Sequence, residues 1–168
     1  MTDDLGRLVR ELADRTAITD VLLRYCRGAD RCDEDLIRDA YHPDALDDHG
    51  RFTGSAQDFA RWVVGVLRET SLATQHALAN VLIELRGESA DVESSFVAYH
   101  LKRDDAGERV EVFGGRYVDR FERRNGDWRI AARTVVHDWS TVLRGGEFPH
   151  RDSYVSGRRD RQDAVYRP

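Results

Sequence analysis

The chain has 168 residues, of which 40% are hydrophobic and 34% charged, with a formal net charge of −5. This length suits a single domain with a real core, and the acidic balance argues against nucleic acid as the main partner. No apolar run approaches the roughly 18 residues that span a bilayer, and the charged start MTDDLGRLVREL does not resemble a secretory signal. A cytoplasmic protein without membrane association is therefore expected. Cys26 and Cys32 have no His or Cys partners at metal-ligand spacing and read as reduced structural thiols, so no metal site is expected.

The first third reads as helix. Leu5, Leu8, Val9 and Leu12 form one apolar stripe, and Ile18, Val21, Leu22 and Tyr25 form another behind an N-cap at Asp14 or Thr16. Gly28 is expected to end this helix and leave Asp30 just beyond its last turn. Asp33 then caps a short helix carrying Leu36, Ile37, Ala40 and Tyr41, stopped by Pro43. An extended piece, ALDDHGRF, covers about residues 45–52. Ser55-Ala56-Gln57-Asp58 is a capping-box pattern opening a third helix, whose apolar face is Phe59, Trp62, Val63, Val66 and Leu67.

From residue 74 the period becomes that of strands, at about 74–86, 91–102, 109–123 and 128–140. Turn signals separate them at Arg86-Gly87-Glu88, Asp104-Asp105-Ala106-Gly107 and Asn125-Gly126, the last suited to a type I′ hairpin. Gly114-Gly115 reads as a kink or bulge that curves the sheet. Helices followed by a meander predict an α+β fold with a mostly antiparallel sheet. One domain is expected over 1–142, followed by a polar, Arg-rich tail over 143–168. The tail either wraps over the domain or a neighbouring subunit, or stays loose. Val110, Val112 and Val118 on one sheet face, and Phe113, Tyr117 and Phe121 on the other, predict a homo-oligomer, because only one face can close over the helices.

Several residues are candidates for chemistry. A carboxylate at a helix C-terminus, such as Asp30, is disfavoured by the helix dipole and calls for a compensating partner, unless it belongs to the solvated loop ADRCDED. His76 shares a strand face with Thr74, Leu78 and Asn80. It is either a buried structural hydrogen bonder or a base whose tautomer a carboxylate fixes, and Asp30 is a candidate for that carboxylate. Strand alternation puts Arg129, Ala131, Arg133, Val135, His137 and Trp139 on one face. Arg133 must pair there, either structurally with Asp119 or Glu93 or with an anion in a pocket. His49, His100 and His137 also occupy strand-like positions without metal-ligand spacing. No phosphate loop, nucleophile elbow or dinucleotide fingerprint occurs, and no cofactor is expected.

The helix order, the run Gly115-Arg116-Tyr117-Val118-Asp119-Arg120-Phe121-Glu122 and the following Trp128-Arg129-Ile130 resemble the SnoaL-like branch of the nuclear transport factor 2-like superfamily, over roughly residues 8–142. The resemblance implies a cone-shaped α+β barrel, with N-terminal helices on a strongly curved sheet, and a dimer or trimer. Asp30 and His76 fall where scytalone dehydratases, bile-acid 7α-dehydratases and hexachlorocyclohexane dehydrochlorinases carry a catalytic Asp-His dyad. Tyr25 resembles the helix tyrosine of the bile-acid enzymes, and Arg133 the late-strand arginine of the dehydrochlorinases. His49 falls near a pocket tyrosine of the scytalone enzymes, and His100 near their second histidine. The implied activity is a cofactor-independent, dehydratase-type lyase on a hydrophobic cyclic small molecule. Its catalytic residues would be His76, Asp30, Tyr25 and Arg133, with His49, His100, Trp62, Asn80 and His137 against the substrate. An isomerase or cyclase using the same dyad, and a non-catalytic binding or assembly module, are the alternatives.

Overall fold

The computed structural model describes residues 2–144 and 153–166. The elements in chain order are α1 (Thr2–Arg31), α2 (Glu34–Asp39), β1 (Tyr41–Asp48), β2 (Thr53–Ser55), α3 (Ala56–Thr70), β3 (Ala73–Arg86), β4 (Ser89–Asp104), β5 (Gly107–Arg124) and β6 (Asp127–Arg144). The strands form one sheet in the order β2-β1-β6-β5-β4-β3. Every pairing is antiparallel except β1 with β6. This is the expected α+β architecture, helices against a curved sheet, except that the sheet does not close into a barrel and β2 and β3 remain its edges.

The two apolar stripes at the start belong to one helix of 30 residues. Neither Asp14 nor Thr16 caps a break. Asp14 instead accepts hydrogen bonds from Arg123 Nη1 (2.7 Å) and Trp128 Nε1 (2.9 Å), while the Thr16 hydroxyl donates to the Leu12 carbonyl. Leu5, Leu8, Val9 and Leu12 are exposed, whereas Ile18, Val21, Leu22, Tyr25, Cys26 and Ala29 form a buried stripe at i, i+3, i+4 spacing.

Gly28 does not end this helix. A Cβ there would lie 2.9 Å from Ile37 Cγ1, so this glycine lets α2 approach closely. The terminator is Cys32, at φ 50°. Its N–H bonds to the Ala29 carbonyl at 3.2 Å and the Asp33 N–H to the Gly28 carbonyl at 2.8 Å, which is a Schellman cap. Asp30 therefore sits inside the last turn. Asp33 caps α2 as expected, by accepting from Leu36 N–H, but Pro43 lies within β1 rather than stopping that helix. Ser55 caps α3, its Oγ accepting from the Asp58 N–H and donating to the Asp58 carboxylate.

The four long strands run to the tips of tight hairpins, pairing Arg86 with Ser89, Asp104 with Gly107 and Arg124 with Asp127. Asn125 and Gly126, at φ 54° and 90°, give the expected positive-φ turn. The expected bulge at Gly114-Gly115 leaves Asp138 of β6 unpaired, and two further bulges in the long strands re-aim side chains. One lies between Ala79 and Leu82, with Asn80 at φ 48°. The other leaves Ala131 unpaired, because Phe121 faces Ile130 while Arg120 faces Ala132. Trp128 and Ile130 thereby share the buried face with Arg133, contrary to the simple alternation that joined Arg129 to Arg133.

At the centre of the fold, Arg133 makes a bidentate pair with Asp119 (2.7 Å for each bond), both side chains fully buried. The described part of the tail packs against its own helices. Arg159 donates to the Leu67 and Ser71 carbonyls at the end of α3 and to Cys32 Sγ, and the Tyr166 hydroxyl donates to Asp33 Oδ2 at 2.6 Å. Of the large apolar side chains that the tail sequence offers as anchors, Phe148, Tyr154 and Tyr166, the first lies outside the described residues.

Removing one member of the central pair leaves a buried charge without a partner, which costs about 3–5 kcal/mol. Asp119→Ala is expected to lower unfolding stability by that order in urea titrations. Glu84→Ala, which removes an exposed partner of Arg86, is expected to leave the midpoint unchanged.

Candidate active site

The inner face of β3 and β4 brings the first pair together. Asp30 ends α1 with its carboxylate turned toward β3, where Oδ2 accepts the His76 backbone N–H (2.9 Å) and Oδ1 meets His76 Nδ1 (2.7 Å). Two donors thus offset the unfavourable end of the helix dipole. The same contacts fix the imidazole, because a carboxylate on Nδ1 selects the Nδ1–H tautomer. Nε2 of His76 has no hydrogen-bond partner among the described residues. The side chains of His76 and Asp30 keep 10% and 13% of their surface exposed, enough for a small molecule to reach them.

His100 lies on β4 across from Thr74, with its ring 5.8 Å from His76 and 5.2 Å from Phe113. Burial, and then the neighbouring His76, push its pKa down to about 4. A depression of about 380 Å³ touches the dyad at Asp30 alone and is otherwise lined by residues such as Leu72, Thr74, Leu101, Tyr154 and Arg159, with His76 outside it. That volume suits a small organic ligand. A slightly larger groove of about 430 Å³ lies on the opposite sheet face around Leu82, Glu93, Val118 and Arg120, away from His76.

A second histidine–carboxylate pair stands on β1 and the turn that follows it. His49 Nδ1 meets Asp47 Oδ1 at 2.5 Å, and His49 Nε2 meets the Tyr25 hydroxyl at 3.2 Å. The other Asp47 oxygen accepts the Tyr41 hydroxyl at 2.6 Å. The His49 ring stacks on Phe59 at 4.1 Å, and Phe52 and Trp62 extend this aromatic wall. Burial lowers the His49 pKa against the opposing pull of Asp47, and it raises the Tyr25 phenol well above its usual value. Asp47 and Tyr41 escape a motif search because neither belongs to a recognised pattern. The one available signal was the Asp-x-His spacing in ALDDHGRF, which puts both side chains on one strand face.

The remaining candidates fall in different places. Arg133 takes the structural alternative, pairing with Asp119 and lying between the rings of Tyr25 (4.2 Å) and Tyr117 (4.1 Å). It is therefore a core group behind Tyr25 rather than an open anion-binding arginine, although its Nη1 has no hydrogen-bond partner among the described residues. Glu93 pairs instead with Arg116. Asn80 is exposed at its bulge, where the extra residue turns it away from the face of His76. His137 is exposed on β6 opposite Gly115 and joins neither histidine–carboxylate pair. Among the described residues, no three His, Cys, Asp or Glu side chains converge as metal ligands.

A helix-backed, curved and mostly antiparallel sheet with two histidine–carboxylate pairs beside it defines a class of small α+β domains. The SnoaL-like domain matches residues 10–134, and the chain belongs to that family, within the nuclear transport factor 2-like superfamily. No curated protein matches the sequence. Among solved structures, the chain is similar to a type 2 hexachlorocyclohexane dehydrochlorinase (LinA), with TM-score 0.74 and 22% identity over 83% of this chain and 95% of that one. It is also similar to a protein described as a putative scytalone dehydratase from Novosphingobium aromaticivorans, with TM-score 0.70 and 19% identity over 84% and 91% of the two chains. A third similar structure is the Kfla4162 protein from Kribbella flavida, with TM-score 0.72 and 18% identity over 78% and 95%.

The depressed pKa of His100 has a direction that can be tested. The unfolded chain binds a proton near the ordinary histidine value of 6.5, whereas the folded chain resists it down to about 4. His100 therefore contributes stability at neutral pH that is lost as pH falls through this window. Its NMR titration is expected near the lower value, and His100→Gln should flatten the fall of melting temperature across the same range.

Proposed function

We propose that the chain is a cofactor-independent lyase that eliminates water from a hydrophobic cyclic small molecule, with His76 as general base. The observation that carries this reading is the doubly bonded Asp30, which holds Nδ1 of His76, with Nε2 left without a hydrogen-bond partner among the described residues. Nε2 would take the proton next to the leaving hydroxyl. Asp30 would orient the ring and stabilise the imidazolium that forms. Tyr25 would exchange a proton with a substrate oxygen, His100 would line the opposite side, and the wall of Phe52, Phe59 and Trp62 would receive the ring. Family membership and likeness to dehydratase and dehydrochlorinase folds support a small-molecule lyase or isomerase of this general type.

Isomerisation is the second reading, favoured by the separate Tyr25–His49 pair, which offers another place to hold a proton. Product mass separates the two, since only dehydration loses water. With a panel of cyclic β-hydroxy ketones read by mass spectrometry, His76→Gln is expected to lower turnover by about 10²–10⁴-fold at unchanged melting temperature. Turnover that survives His76→Gln would rule out the base assignment.

The outer sheet face leaves Leu82, Val118 and Tyr99 exposed, and α1 leaves Leu5, Leu8, Val9 and Leu12 exposed. Apolar surface on this scale supports a homo-oligomer, a dimer or trimer. Light scattering at micromolar concentration is expected to give a multiple of 19.3 kDa, and a clean monomer would remove the claim.

A further inference from the structure

We infer that Asp47 and His49 act through Tyr25 as a proton-direction switch, deciding whether the interior offers a ligand an oxygen lone pair or an O–H. The inference rests on the reading of Tyr25 as a group that meets the ligand.

The hydroxyl of Tyr25, the imidazole of His49 and the carboxylate of Asp47 stand in line at 3.2 Å and 2.5 Å. This is the order of groups in a hydroxyl–imidazole–carboxylate triad, with a phenol in place of the alcohol. Asp47 is almost fully buried and its second oxygen is occupied by Tyr41, so the carboxylate fixes a proton on His49 Nδ1. With His49 neutral, Nε2 is an acceptor, the Tyr25 proton points at it, and the phenol oxygen presents lone pairs. With His49 charged, Nε2–H points at the phenol oxygen and the Tyr25 proton is released toward a ligand.

Transfer follows the same line. A proton passing from a ligand hydroxyl to the Tyr25 oxygen sends the proton of Tyr25 to His49 Nε2. It leaves an imidazolium against Asp47 and an electron pair on the ligand oxygen, and the reverse step restores both O–H bonds.

The surroundings of His49 set where it titrates. Asp47 on β1 favours the charged form. Arg133 on β6 and His76 on β3 oppose it, as does burial. Asp119 on β5 is held by Arg133, Tyr25 and Tyr117 contribute neutral phenols from α1 and β5, and α3 contributes only the ring of Phe59. His49 therefore titrates below the ordinary histidine value, and among the described residues Asp47 is the one carboxylate in direct contact with its ring.

The test compares two matched ring ligands, 2-naphthol as an O–H donor and 2-tetralone as a carbonyl acceptor. Binding is measured by calorimetry on the full chain from about pH 5 to about pH 8. Nitrogen NMR of labelled histidine should place the His49 proton on Nδ1 at the upper end of that range. The wild-type protein is expected to prefer the donor at high pH and to turn toward the acceptor by about tenfold as His49 charges. Tyr25→Phe should abolish this turn, Asp47→Asn should move it to lower pH, and His76→Gln should keep the turn but move it to higher pH, because a group that opposes charging of His49 is lost. A preference independent of pH, a turn that persists in Tyr25→Phe, or failure of both ligands to bind would overturn the inference. A turn lost only in His76→Gln would assign the titration to the dyad and overturn the switch while leaving the lyase reading intact.

Discussion

The guanidinium of Arg133 is buried between two phenol rings and tied to Asp119, and the arrangement of the inner face depends on it. A charge removed from water is tolerated only when its partner lies close and well aligned, and here both carboxylate oxygens are engaged. The rings of Tyr25 and Tyr117 pack on its two sides, adding cation–π attraction and excluding solvent. This cluster joins α1, β5 and β6. It therefore fixes where the hydroxyl of Tyr25 can lie, and with it the position of His49. The same burial keeps the Tyr25, Tyr41 and Tyr117 phenols protonated, because an ionised oxygen would lose its water with little in return.

The two histidine–carboxylate pairs use the same contact for different ends. Asp30 sits at the negative end of a helix and is stabilised from β3 through one backbone N–H and one ring N–H, and the outer nitrogen of His76 has no hydrogen-bond partner among the described residues. Asp47 is held by Tyr41 and His49, and the outer nitrogen of His49 is already taken by Tyr25. The first arrangement suits a group that meets a ligand directly. The second suits one that acts through a neighbour. Asp30 on α1 is held by donors from β3, so the packing of helix against strand fixes the His76 ring, whereas Asp47 is held by Tyr41 of its own strand and by His49 in the turn that follows.

Departures from regular strand pairing decide which side chains join these pairs. The unpaired Ala131 shifts the alternation of β6 and delivers Arg133 to the same face as Ile130. The bulge around Asn80 turns that side chain outward, away from the face that carries Thr74, His76 and Leu78. Glycine enters at Gly114, where a Cβ would collide with the indole of Trp139 at 2.1 Å, so the ring can lie directly across the strand. At the helical end, the chain after residue 152 returns to α2 and α3, and Arg159 satisfies carbonyls that the end of α3 leaves open.

Periodicity, caps and turn residues in the sequence were enough for the α+β class, the four long strands, the α3 cap at Ser55 and the Asn125-Gly126 hairpin, because each depends on neighbours a few residues away. The residues alone offered Asp30 as one candidate partner of His76 and the family resemblance implied the dyad, since a carboxylate at a helix end reveals its instability but not what relieves it. Tertiary packing decided the rest. It carried α1 through Gly28 to Cys32, because the close approach of Ile37 needs a residue without a Cβ. It also enclosed Arg133 with Asp119 and brought Tyr25 of α1 to the Tyr41, Asp47 and His49 group of β1 and its following turn. A bulge shifts facing by one residue, and buried hydrogen bonds join distant positions in the chain; neither leaves a periodic trace in the order of amino acids.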